Sequence, residues 1–195
     1  MPKAGYARVT RLLAFVITLT LTALAFGQEG NKTFPSIRIK NFGQMDERFY
    51  RGGQPKENDY QSLAALGIQT IIDLRDKRTE YEQAAVEAAG MRYVNIPMDD
   101  KSYPKEEQIQ AFLKLVDDAQ TGKFFVHCAG GRHRTGVMGA VYRFKTTDWD
   151  YDRVYAEMKQ YDFYSRWGHG PMKQYVKDYW ARLHADREPV VSTSR

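Results

Sequence analysis

The chain has 195 residues, 43% of them hydrophobic and 27% charged, with a net charge of +5. That composition excludes a disordered or fibrous chain and suits one domain with a substantial core. Lys3, Arg8 and Arg11 supply three of the positive charges within the first 27 residues, which carry no acid, so the remainder holds only +2. With no long Lys/Arg run, no repeat and no low-complexity tract, nucleic acid is not an expected partner.

The N-terminus has the order of an export signal: a basic start, an apolar stretch Leu12–Phe26, then small residues in Ala23-Leu24-Ala25 and Ala25-Phe26-Gly27. The apolar stretch is short for a bilayer span, which needs about 20 residues. Residues 1–27 are read as a signal peptide, either cleaved or kept as an anchor. Export to the periplasm or beyond is expected, with membrane contact only through an uncleaved signal. Residues 28–36 read as a linker, 37–184 as the folded domain and 185–195 as a disordered tail. Cys128 is the only cysteine, so the core and not a disulfide must stabilise an exported domain.

Along the domain, Ile37–Ile39 and Phe49–Arg51 read as short strands around a turn. A helix is expected over 55–66, with Tyr60, Leu63, Ala64 and Leu66 inward. The β-branched run 68–74 is a buried strand. Residues 79–89 form a helix with Tyr81, Ala84, Ala85 and Ala88 inward, and 91–97 the next strand. Pro104 opens a helix facing inward through Ile109, Phe112, Leu113 and Val116. A further strand at 123–127 precedes helices at 135–145, 151–161 and 171–184. Strands alternating with helices predict an α/β, three-layer-like sandwich with a mostly parallel central sheet flanked by helices. Ligand sites in such sheets lie beyond the C-terminal strand ends, and strand 123–127 ends at His127-Cys128.

The stretch from 127 to 136 reads HCAGGRHRTG. Gly130 and Gly131 both permit positive φ, and a tight loop over Ala129, Gly130, Gly131, Arg132 and His133 can turn successive amides inward as an anion cradle. The helix opening at the loop's end adds its dipole. Arg134 offers a planar fork suited to phosphate. The same field acts on Cys128, because helix N-termini and cations lower a thiol pKa to roughly 3.5–7.5, which makes a ready nucleophile. Thr135 can donate its hydroxyl to the sulfur.

H-C-x5-R-T-G resembles the signature of the Cys-based protein tyrosine phosphatase superfamily. The short chain, with FYRGGQP at 49–55, LGIQTIIDLR at 66–75 and NIPMDD at 95–100, is similar to the dual-specificity branch of bacterial exported and plant and fungal atypical type. That resemblance implies attack of Cys128 on phosphorus, a phosphate clamp at Arg134, oxyanion binding by the amides of 129–134 and support of the sulfur by Thr135. It also implies hydrolysis of the resulting phosphoenzyme.

A leaving oxygen needs a proton from another loop at the same sheet edge. Strand 91–97 ends next to Asp99 and Asp100. Relatives place such an Asp upstream of the Cys with a Pro close behind, which favours Asp100, four residues before Pro104, over Asp99. Phosphotyrosine or phosphoserine/threonine protein, or a small polyanion such as an inositol polyphosphate or pyrophosphate, would be the substrate. Sulfur transfer is disfavoured by the Arg-Thr-Gly ending, and arsenate reduction by the absence of further thiols. A phosphate-binding module without turnover is the remaining alternative. No cofactor is expected, and four scattered histidines with one cysteine show no metal spacing. His127 is expected to orient the loop through a backbone hydrogen bond rather than act as a base, Asp73 and Arg75 to brace the loop or cap the next helix, and Arg51 to be an ion-pair partner or to face the pocket. Arg132 and His133 are either solvated or a rim that attracts charge.

Overall fold

A computed structural model describes residues 34–185. The expected signal peptide, most of the expected linker and the expected tail beyond Ala185 fall outside the described residues. Five strands form the sheet: β1 Gly43–Gln44, β2 Phe49–Gly53, β3 Thr70–Arg75, β4 Arg92–Met98 and β5 Phe124–Cys128. Six α-helices accompany them: α1 Asp59–Ala65, α2 Glu80–Ala88, α3 Glu106–Asp117, α4 Arg134–Thr146, α5 Tyr151–Gln160 and α6 Gly170–Ala185. The strand order is β1-β2-β5-β3-β4. Only the β1–β2 pair is antiparallel; β5 runs parallel to both β2 and β3, and β3 parallel to β4. The expected α/β sandwich with a mostly parallel sheet is the observed one.

Side-chain alternation along each strand divides the core between two faces. Phe124, Val126 and Cys128 of β5 join Ile72 and Leu74 of β3 in a cluster closed by residues of α3, α4, α5 and α6, among them Phe112, Val137, Met158 and Tyr175. Phe125 and Ile71 point the other way, against Tyr60 and Leu63 of α1 and Val86 of α2. All five residues of the central strand β5 are buried, and all but His127 are apolar. Among the described residues no helix is long and apolar enough to cross a membrane.

Two elements differ from expectation. Residues 37–39 form no strand. Their segment is held by local bonds, Ile37 N to Phe34 O and Phe42 N to Ile39 O, and Ile39 reaches the core from an irregular backbone. The sheet edge is taken instead by Gly43–Gln44. In α2 the buried positions are Glu82 and Val86, while Ala84 and Ala88 are exposed. The helix is rotated because it turns an acid, not an alanine row, toward the sheet.

Candidate active site

Cys128 is the last residue of β5 and is 4% exposed. Because side chains alternate, His127 and Cys128 leave the strand on opposite faces. Cys128 faces the start of α4, and His127 faces α2. The loop that follows is shaped from outside. Gln54 N donates to the carbonyl of Ala129 at 3.2 Å, Asn41 Nδ2 to that of Gly130 at 2.8 Å, and Arg51 Nη2 to that of Gly131 at 2.8 Å. In a planar trans peptide the N–H points opposite to the C=O. Three successive carbonyls held outward therefore turn the amides of Gly130, Gly131 and Arg132 toward the loop's centre. That is the physical origin of the anion cradle.

The two glycines are not equivalent. Gly131 has φ +67°, and a Cβ there would lie 2.4 Å from the backbone carbon of Gly52. Gly130 is not among the positive-φ residues, and a Cβ there would meet only the Arg132 side chain at 3.8 Å. Only Gly131 is demanded by the turn.

Arg51 does not take the ion-pair role expected of it. It is 1% exposed and stacks its guanidinium over the Tyr161 ring at 3.9 Å. No ion pair to it occurs among the described residues. Burial lowers its pKa to about 10, against the attraction of Tyr161, Glu157 and Cys128. It stays charged at neutral pH and adds a cation beneath the loop.

Burial pushes the Cys128 thiol up, but the hydroxyl and amide of Thr135, the charge of Arg134 and the amide of Arg132 outweigh it and hold the pKa below the ordinary value. Thr135 Oγ1 is buried with no other partner among the described residues, and the thiol of Cys128 is the group its hydroxyl acts on. Arg134 begins α4 and is 7% exposed. Its Nη1 donates to the carbonyl of Met98 at 2.9 Å and to Asp76 Oδ1 at 3.1 Å. Nε and Nη2 carry no protein hydrogen bond among the described residues, so one edge of the fork is available to an anion.

The Arg134–Met98 bond fixes the phosphate loop to the end of β4, where Asp99 and Asp100 follow. The two acids are in different states. Asp99 Oδ1 accepts from Lys101 N, Ser102 N and Ser102 Oγ, each at 2.8 Å. Those bonds, the Lys101 amide first, hold its carboxyl below the usual range. The carboxylate of Asp100 makes no hydrogen bond or ion pair among the described residues.

Behind the loop lies a buried charge network. His127 Nε2 is 2.7 Å from Glu82 Oε1 and 3.8 Å from Asp73 Oδ1, all three fully buried. Arg75 binds Asp73 through Nε and Nη2 at 2.9 and 2.8 Å and also pairs with Glu82. Tyr60 and Tyr93 donate to Glu82 and Asp73 at 2.7 and 2.8 Å. His127 thus lies against a carboxylate, and no backbone group bonds either ring nitrogen. Asp73, Glu82 and His127 have the donor types of a metal site, but the guanidinium of Arg75 already supplies the cation there. Asp73 and Arg75 act as braces, as expected.

His133 is neither solvated nor a rim. It is 9% exposed, stacked on His169 at 3.5 Å and 10° and edged by Tyr164 at 4.4 Å. Burial first, then His169 and Arg132, lower its pKa to about 4. Arg132 is partly exposed and lies 3.5 Å from Asp162, so it alone keeps the rim reading. Sequence reasoning missed Asn41, Asp76, Glu82 and His169. Only Glu82 left a signal, an acid one helical position from an apolar face.

Residues 36–172 match the model of a family described as "DSP-PTPase phosphatase fused to NAD+ Kinase". The chain belongs to this dual-specificity phosphatase family. It is 32% identical over 101 residues to the probable NAD kinase 2, chloroplastic, of Oryza sativa subsp. japonica, which covers 49% of this chain and 10% of that protein. The chain thus spans only a tenth of the length of this relative. In fold it is similar to the core catalytic domain of the PP-IP phosphatase SIW14 from S. cerevisiae (TM-score 0.64, 18% identity, 77% of this chain and 94% of that one). It is equally similar to TpbA of P. aeruginosa (TM-score 0.63, 23% identity, 80% and 95%), which has also been solved in complex with phosphotyrosine.

Proposed function

We propose that the protein hydrolyses phosphomonoesters through a phosphocysteine intermediate. The observation that carries this is the single thiol of Cys128, depressed in pKa, at the mouth of a loop whose Ala129, Gly130 and Gly131 carbonyls are all held outward. The phosphate rests on the inward amides and takes the available edge of Arg134, whose Nη1 stays bonded to Met98 and Asp76. The sulfur of Cys128 attacks phosphorus. The bond to the leaving oxygen breaks, and its electron pair is met by the proton of Asp100. Water then attacks the phosphocysteine, Asp100 takes the water's proton, and thiolate leaves with Thr135 steadying it.

Phosphotyrosine or phosphoserine/threonine protein is the leading substrate class, supported by the TpbA likeness and its phosphotyrosine complex. An inositol polyphosphate or pyrophosphate is the second reading. It is supported by Arg132 at the rim, by the SIW14 fold and by a 26% identical inositol diphosphatase of Oryza sativa subsp. japonica. The N-terminal pattern supports action outside the cytoplasm, which the mass of the mature N-terminus from fractionated cells would check.

The test compares p-nitrophenyl phosphate, phosphopeptides and inositol phosphates with the wild type, Cys128→Ser and Asp100→Asn. Cys128→Ser should lose all turnover, and Asp100→Asn should lose about a hundredfold or more. Full activity in Cys128→Ser overturns the mechanism. The substrate giving the highest kcat/KM decides between the two classes.

A further inference from the structure

We propose that His169 is a positioning residue for the general acid: it hydrogen-bonds the main chain of Asp100 while lying flat on His133 of the phosphate loop, and so fixes the acid relative to the cradle. The inference rests on the phosphatase reading and deepens it.

His169 Nδ1 is 2.8 Å from the carbonyl oxygen of Asp100. A carbonyl only accepts, so Nδ1 carries the hydrogen. The opposite contact is the stack of the two imidazoles, 3.5 Å apart at 10°, with Tyr164 edged against both at 4.4 and 5.4 Å. His133 immediately precedes Arg134, so one side chain links the acid loop to the phosphate loop. His169 is 7% exposed, which keeps water from competing for the bond. The chain is bent to deliver it: Trp167 has φ +60° and Gly168 φ +92°. A Cβ on Gly168 would sit 3.1 Å from Cδ of Lys101. Residues 168 and 169 therefore meet two consecutive residues of the acid loop.

The bond matters because the acid's own side chain is untied among the described residues. Asp99 is tied by three bonds within its own turn, whereas the Asp100 carboxylate has no protein partner among the described residues. Its position is inherited from its main chain, and His169 anchors that main chain across 69 residues of sequence. Misplacing a catalytic group by about an ångström costs rate steeply.

The consequence is selective. A leaving group that is already stable as an anion departs with little help. A basic one departs only as its oxygen is protonated, so loss of acid positioning steepens the dependence of kcat/KM on leaving-group pKa. The experiment measures that slope over a series of substituted phenyl phosphates for wild type, Cys128→Ser, His169→Phe, His169→Ala and His169→Asn, with the inhibition constant of inorganic phosphate as the readout of an intact cradle. His169→Phe keeps a ring on His133 but has no donor. It should lose about tenfold or more on phenyl phosphate, change less than about threefold on the most acidic phenols and leave phosphate inhibition unchanged. His169→Ala should lose at least as much on phenyl phosphate. His169→Asn, whose amide can donate near the Nδ1 position, should recover most of the loss.

An unchanged slope in His169→Phe and His169→Ala overturns the inference. Equal losses on every substrate, or an Asn variant no better than Phe, overturn it too, since those results describe a structural role. Activity in Cys128→Ser would instead sink the phosphatase reading itself.

Discussion

Thr135 donates to a sulfur that burial alone would keep protonated. Removing its hydroxyl leaves the packing but weakens the thiolate. Thr135→Val should therefore move the pH midpoint of iodoacetamide alkylation of Cys128 upward. The sign follows from the depression: a thiol held low in pKa is thiolate over more of the pH range, and a lost donor narrows that range from the acid side. At neutral pH kcat/KM should fall about tenfold, the equivalent of a hydrogen bond of ~1.5 kcal/mol to a charged group. A midpoint that stays put would show that the hydroxyl does not act on the sulfur. Cys128, Arg134 and Thr135 were legible in the sequence because one loop carries all three with the chemistry written in consecutive residues. Asn41, Asp76 and His169 were not, since each reaches the site from another segment through a single bond, and no local periodicity encodes such a meeting.

The strand β5 organises the site by alternation, sending Cys128 to one face and His127 to the other. The rear face is held by α2 through Glu82 and by β3 through Asp73 and Arg75. Arg75 is the shared cation of two buried carboxylates. Arg75→Met should destabilise the fold by about 3–5 kcal/mol by leaving them uncompensated, seen as a melting temperature lower by on the order of 10 °C. The pH dependence carries the sign. Burial raises the Asp73 pKa, but its bonds to Arg75 win and hold it low. The wild-type contribution is therefore present above the unfolded carboxylate pKa and lost as pH falls through the folded one. In Arg75→Met, burial dominates and Asp73 takes up a proton more readily. The stability gap should thus narrow as pH is lowered toward 5. A gap independent of pH would place the loss in packing alone. At this scale the sequence showed the six described α-helices and four of the five described strands. It misjudged the rotation of α2, because a buried acid reads as a solvated one until its partners on β3 and β5 are known. It misplaced the first strand, because Ile39 is buried by a turn rather than by a ladder.

For the whole chain, the parallel sheet brings β3, β4 and β5 to one edge with their C-terminal ends together. Asp76, Asp100 and Cys128 thus share that edge although they span 52 positions in the sequence. This placement was legible from alternating strands and helices, since crossover connections leave few other arrangements. It also sets a vulnerability. Cys128 carries the only sulfhydryl among 195 residues, so a sulfenic acid formed there cannot be captured by a second cysteine of the same chain. Peroxide oxidises a thiolate first to sulfenic and then irreversibly to sulfinic acid. Inactivation by hydrogen peroxide should therefore be reversed by dithiothreitol after brief exposure and progressively less after longer exposure. Inorganic phosphate should slow it by occupying the cradle. Intact-mass measurement should show +32 on the Cys128 peptide in proportion to the unrecovered activity. Full recovery after prolonged exposure, with no dioxidised Cys128, would mean that this thiol is not the reactive species at the end of β5.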